Sequence, residues 1–377
     1  MEGSFRIGRI FGIPVFIHFT FLLVIPLFAW IIGTDIGYSV SLVTGIFRVE
    51  IDDTLILTGF IPYILGAVIA LGLFLGVFIH ELSHSLIAQR AGIPIERITL
   101  LFFGGVASID VREPDPKTEL VMALAGPVTS LILGLVSAAL FYGTSQAVPG
   151  TPETGLVMYI FGYLSLLNLL LFAFNLLPAF PMDGGRVLRA YLAGRMPLYQ
   201  ATSIASMIGK GFAVVFGLIG LALFSPLLIL IAFFIYIGAN QEADVTRYNF
   251  LLRDVQVGQV MSRPVTSVDP VMPLTAVWNL MYQTKHLGFP VTDRGVLTGI
   301  ITLSDLARTP ALDRDAMQVR DVMTRDVITL PPQAQVMDAL RIMTRQDIGR
   351  IPVMDGETIA GIVTKSDIFT VIELREV

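Results

Sequence analysis

Long apolar runs separated by short polar connectors fill the first two thirds of the chain, and six of them read as helices crossing a hydrocarbon layer ~30 Å thick. They fall at roughly 10–33, 55–88, 119–143, 156–179, 208–224 and 226–240, and Ser225-Pro226 splits the last two, which suits a tight hairpin or two tilted helices. A further apolar stretch, 98–110, is too short to cross and too rich in strand-forming residues, so it predicts either an edge strand or a buried connector. From about residue 251 the pattern changes to short alternating and helical segments that repeat at an offset of 62. Val260-Met261 returns as Val322-Met323, and Phe289-Pro290-Val291 as Ile351-Pro352-Val353. Gly299-Ile300-Ile301-Thr302-Leu303-Ser304-Asp305 returns as Gly361-Ile362-Val363-Thr364-Lys365-Ser366-Asp367. The fold class expected is an all-α polytopic membrane domain with a short membrane-associated β segment, followed by a repeated α/β unit. The boundaries expected are 1–246, 251–312 and 313–377.

Composition sharpens this division. Of the 377 residues, 54% are hydrophobic and 15% charged, against about 25% charged in a soluble chain. A mean hydropathy of +0.75 agrees, and together these exclude a cytosolic enzyme. The 25 lysines and arginines divide as 11 in residues 1–246 and 14 in the shorter remainder, which is therefore the soluble part. Cysteine is absent, so any metal is held by histidine and carboxylate. A net charge of −5 argues against nucleic acid as a partner. With six spans threaded, Arg6, Arg9, Arg90, Arg97, Arg112, Lys117, Arg186, Arg189 and Arg195 share one side, while Arg48 stands alone opposite. The positive side is cytoplasmic, so both termini are expected there, in a plasma membrane that the chain crosses several times.

Ionisable side chains inside apolar runs are expensive, and each marks a possible site. The second run ends in His80-Glu81-Leu82-Ser83-His84. Residues four apart lie about 40° apart round a helix, so both imidazoles project from one face with the Glu81 carboxylate beside them. Two buried histidines satisfied by carbonyls is the alternative. A catalytic zinc takes three protein ligands and keeps one open position. The second polar cluster is Asn175-Leu176-Leu177-Pro178-Ala179-Phe180-Pro181-Met182-Asp183-Gly184-Gly185-Arg186, and Asp183 is the sole carboxylate between Glu153 and Glu242. It is either the third ligand or a loop residue capping Gly184-Gly185 or pairing Arg186. Irregular backbone at membrane depth implies protein or a wet cavity around it.

HELSH together with NLLPAFPMDGG resembles the site-2 protease family of intramembrane zinc metalloproteases. The resemblance implies one zinc per chain on His80, His84 and Asp183, with Glu81 as general base and Asn175 holding substrate or the oxyanion. Met182 replaces the family's more usual Leu, and Ser83 its Gly. Gly104 and Gly105 fall in the segment that the family is believed to pair with an unwound substrate. Ala125-Gly126-Pro127 matches another family pattern, taken here as packing and kinking the helix. Asn168 reads as a helix–helix hydrogen bond and His18 as a satisfied buried or interfacial histidine.

The repeat resembles a pair of cystathionine-β-synthase (CBS) domains. That resemblance implies adenine-nucleotide contacts at Thr302, Asp305, Thr364 and Asp367, although the same residues suit helix N-caps. His286 and Trp278 are expected to pack or face solvent. The expected activity is zinc-dependent endoproteolysis of a single-span transmembrane regulatory protein, with nucleotide control through the CBS pair, which also suits a homodimer. The rival is a CBS-regulated cation transporter or channel, and a further alternative keeps the metal site without turnover.

Overall fold

The structure, a computed structural model, describes all residues except 1, 2, 102, 103, 110–114, 148, 149, 311, 312 and 377, and for 104–109 and 376 the backbone only. Arg112, the end of the 98–110 stretch and the join between the repeats at 311–312 therefore lie outside the described residues. Backbone contacts divide the chain into two units, Met1–Asp244 and Val245–Val377.

The first unit opens with β1 (Ser4–Ile10) and β2 (Ile13–His18), not with a helix. The expected first span is thus corrected. Phe11 and Gly12 turn the chain at positive φ, which closes a hairpin where the hydropathy reads as a continuous run. Two helices follow, α1 (Phe19–Thr34) and α2 (Ile36–Phe47), bent by 75° at the break between them. His18 caps α1: its Nδ1 accepts from the Thr20 amide at 3.3 Å, satisfying a free first-turn N–H. Then come α3 (Ile61–Arg90), β3 (Ile95–Leu101), β4 (Gly104–Ile109), α4 (Pro116–Ala147), α5 (Pro152–Asn175), α6 (Asp183–Ala193), α7 (Leu198–Ala222) and α8 (Pro226–Leu251). Among the described residues five helices, α3, α4, α5, α7 and α8, are long and apolar enough to cross a membrane, and the bent α1–α2 pair makes six if counted as one span. Helix α7 starts ten residues before the expected span, because Thr202 and Ser206 bond to carbonyls and can be buried.

The four strands form one sheet in the order β1-β2-β3-β4, with β2 and β3 parallel and the outer pairs antiparallel. Within the 98–110 stretch, residues 98–101 and 104–109 are therefore antiparallel strands, with β4 at the sheet edge. Gly104 and Gly105 open β4 opposite Leu101 and Leu100. Small residues let the helices approach closely: a Cβ at Gly66 of α3 would lie 2.7 Å from the Ala29 carbonyl of α1. The apolar core gathers Ile32, Val43, Ile56, Ile69, Phe141 and Tyr159 from five helices and the loop before α3.

The second unit repeats itself. Its elements are α9 (Val257–Val260), α10 (Leu274–Thr284), β5 (Gly288–Asp293), β6 (Val296–Thr302) and α11 (Leu303–Ala307), then α12 (Val319–Val322), α13 (Val336–Arg345), β7 (Arg350–Asp355), β8 (Thr358–Thr364) and α14 (Lys365–Glu376). The two hairpins share register and bulge: Gly288 faces Thr302 as Arg350 faces Thr364. In each repeat a single parallel bridge joins the segment before the helix to the first hairpin strand, Val268 to Val291 and Leu330 to Val353. The repeats also exchange their first segments. Val255 and Val257 belong to the core around Met343 and Val363, whereas Val319 belongs to the core around Met281 and Ile301.

Candidate metal and catalytic site

The third helix carries Pro62 in its first turn, where a missing N–H costs nothing. Thirty residues of unbroken helix carry His80 and His84 onto one face. The fifth helix ends at Asn175, and Pro178 and Pro181 prevent its continuation. A tight loop then places Asp183 as the first residue of α6, where the unpaired amide end favours a carboxylate. Gly184 and Gly185 are required by this loop, since a Cβ there would lie 2.2 Å from the Leu177 carbonyl or 2.5 Å from the Phe180 amide.

Asp183 Oδ2 lies 3.1 Å from His80 Nε2 and 3.2 Å from His84 Nε2, and the two Nε2 atoms are 3.2 Å apart. Among the described residues this is the one group of three such side chains whose donor atoms converge. The carboxylate thus faces the histidines instead of pairing with Arg186. Each imidazole is held from behind. His84 Nδ1 donates to the Met122 carbonyl at 2.7 Å, and His80 Nδ1 meets Ser130 Oγ at 2.9 Å. A donor at Nδ1 leaves the lone pair on Nε2, turned towards Asp183.

The residues fit zinc. A four-coordinate zinc with bonds of ~2.0–2.1 Å holds neighbouring donors roughly 3.3 Å apart, close to the separations seen here. Gly126 of α4 leaves the space open: a Cβ there would stand 2.2 Å from His84 Nε2 and 2.5 Å from His80 Nε2. Its role is to leave room at the donor atoms, beyond the packing and kinking expected of it. Glu81 lies beside the two histidines on α3, and its carboxylate makes no hydrogen bond among the described residues. Asn175 Nδ2 donates to the Leu171 carbonyl at 3.1 Å, so the amide is turned back on its own helix. Asn168 does the same to Leu164 at 2.8 Å, in place of the expected interhelical bond. Its Oδ1 is buried without a partner.

Sequence reasoning missed Met122 and Ser130, and read Gly126 only as packing and kinking. The signal was their spacing, which together with Glu119 puts all four on one face of α4. The connector that carries Arg189 is helical, α6, and Arg189 pairs there with Glu119 of α4 and Glu242 of α8.

In the second unit, Thr302 and Asp305 form a capping box at α11, with the Thr302 amide 2.8 Å from Asp305 Oδ2. Thr364 and Asp367 do the same at α14, and Ser262 Oγ adds a bond to Asp367 at 3.1 Å. Trp278 is partly exposed under the Arg314 guanidinium, and His286 faces solvent.

The family model described as Peptidase family M50 matches residues 68–156 and 147–216, and the CBS domain model matches 257–311 and 319–374. Zinc metalloprotease MJ0392 of Methanocaldococcus jannaschii is 34% identical over 379 residues, covering 100% of this chain and 99% of that one. This chain belongs to the site-2 protease family. Rip3 of Mycobacterium tuberculosis is 30% identical over 387 residues, covering 99% and 94% of the two chains. The solved structure of a site-2 protease from M. jannaschii shares 38% identity over 64% of this chain and 95% of that one, at a TM-score of 0.43. The protein is a zinc metalloprotease of this family, a multi-pass membrane protein with a tandem CBS region. The transporter and the inactive scaffold are set aside.

Proposed function

We propose that this site-2 protease cuts a peptide bond inside the membrane-spanning segment of a single-span regulatory protein. The observation that carries the reading is the convergence of His80, His84 and Asp183 beside an unpaired Glu81, between helices long enough to span a bilayer. His80, His84 and Asp183 hold the zinc. When bound, zinc supplies a Lewis acid that acidifies water and polarises the scissile carbonyl. Glu81 takes a proton from the attacking water and returns it to the leaving amine, so its side chain shuttles one proton per cut. Asn175, on release from Leu171, offers an amide N–H to substrate or oxyanion. The substrate must first unwind, because helical carbonyls are already hydrogen-bonded. The open side of β4 at Gly104 and Gly105 suits an extended segment, pairing through its backbone.

The CBS pair binds an adenine nucleotide and regulates the protease. Thr302, Asp305, Thr364 and Asp367 are the contacts proposed, and their capping bonds hold those side chains at the hairpin ends. Pairing of two CBS regions would make a homodimer. Both termini face the cytoplasm, and the membrane is the plasma membrane.

The test compares membranes carrying the parent or Glu81→Gln, each with one zinc per chain. New protein termini inside single-span segments should appear only with the parent. Equal termini in both would remove Glu81 from the mechanism, and none in either would remove the substrate class.

A further inference from the structure

Helix α6 carries one proposed metal ligand, Asp183, at its first residue, yet little in its own sequence fixes where it sits. It has 11 residues, and isolated helices shorter than ~12–15 residues are marginal. It hangs between the irregular segment 176–182 and Gly194, and it contributes no span of its own. The other two proposed ligands stand on α3, a 30-residue helix. The coordination geometry therefore depends on how α6 is tied to its neighbours.

At its near end, α6 is tied by Gly184 and Gly185 against the backbone of 176–180. At its far end the tie is Arg189, roughly 9 Å along the axis from Asp183. Arg189 Nε donates to Glu119 Oε1 at 2.7 Å, with Nη2 on the same oxygen, and Nη1 donates to Glu242 Oε1 at 2.8 Å. Its guanidinium also covers the Phe180 ring, 5.1 Å from the centroid. One planar fork thus engages α4, α8 and the loop leading into α6. The rigid planar fork of a guanidinium suits this three-way contact better than the compact ammonium of lysine. Glu119 lies one turn before Met122 and two turns before Gly126, and Met122 orients His84. The helix that aims an imidazole is therefore the helix that anchors the carboxylate.

We propose that Arg189 is a positioning residue: by bridging Glu119 and Glu242 it fixes α6, and with it the Asp183 carboxylate, against His80 and His84. The proposal rests on the reading of those three residues as metal ligands. It also makes the site sensitive to α8, the helix that carries Glu242 and runs on to Leu251.

The test uses the full chain in detergent with cobalt(II) as probe, because its visible bands report coordination geometry as well as occupancy. Arg189→Met should weaken cobalt binding at least tenfold and lower the intensity of its bands. Glu242→Gln, which removes one arm, should cost about threefold to tenfold. Arg195→Met is the control: it removes the same charge from an exposed side chain stacked on Tyr191, and should bind as the parent does. Because Arg189→Met leaves Glu119 buried and unpaired, it is also made with Glu119→Gln; if neither folds, Glu242→Gln decides alone. Parent-like affinity and spectrum in the folded variants would overturn the proposal, as would an equal loss in Arg195→Met. A parent that binds neither cobalt nor zinc would instead overturn the metal site itself.

Discussion

Replacing Gly126 by alanine adds one methyl group at the point where three donor atoms meet. The new Cβ would stand 2.2 Å from His84 Nε2 and 2.5 Å from His80 Nε2, far inside contact distance. Both imidazoles must swing away. Each then gives up its rear hydrogen bond, at 2.7 Å to Met122 and 2.9 Å to Ser130. A buried hydrogen bond left unmade costs about 1–3 kcal/mol, so the two together cost about 2–6 kcal/mol. Alanine returns up to ~1 kcal/mol as a better helix former, which keeps the metal-free protein folded. The holding geometry is lost at that cost, and each ~1.4 kcal/mol is tenfold, so zinc affinity should fall at least ~30-fold. The assay is zinc per chain under competition with a chelator of known affinity, alongside thermal unfolding of the metal-free forms. Full zinc at the parent's affinity in Gly126→Ala would refute the argument that this glycine keeps the metal's place open.

Three further outcomes are expected. Glu81→Gln should keep its zinc while the cleavage rate falls ~10²- to 10⁴-fold, measured as new termini in a single-span substrate. Ser130→Ala should weaken zinc binding about 10- to 100-fold by freeing the His80 ring, read by the same chelator competition. Thr364→Ala should lower the stability of the CBS unit by about 1 kcal/mol through loss of its cap, and should also weaken adenine-nucleotide binding in calorimetry. Loss of stability with unchanged nucleotide affinity would leave Thr364 a cap and nothing more.

What the sequence reveals here is whatever is local or paid for in an unusual residue. Histidines and a glutamate inside an apolar run stand out because lipid offers them no partners, and an aspartate between prolines and glycines stands out for the same reason. The repeat is legible because both copies keep their turns and bulges. The opening segment misleads, since alternating strand and apolar helix look alike when both faces are hydrophobic. Gly12 and Pro14 were the available hints. Gly126 and Ser130 stay hidden because their meaning lies in a contact with a helix some fifty residues away, and small residues in membrane helices usually mean packing. Arg189 is counted correctly as a positive charge but sits half-buried between two carboxylates, a pairing no local pattern announces. The exchanged first segments of the CBS repeats are equally invisible, because sequence similarity reports copies and not which copy's core a segment joins.

The parallel pairing of β2 with β3 sets an order of assembly. Val15 lies beside Ile98, so roughly 80 residues, including three helices, must be made before the partner strand exists. At ~5–20 residues per second that is roughly 4–16 s of synthesis. Until then the β1–β2 hairpin has an open edge along β2, in addition to Phe5, Ile7 and Phe11, which are exposed even in the finished fold. The first strands translated are thus completed only after α3 has been threaded, and a nascent chain stalled before residue 95 carries a hairpin with no sheet to join.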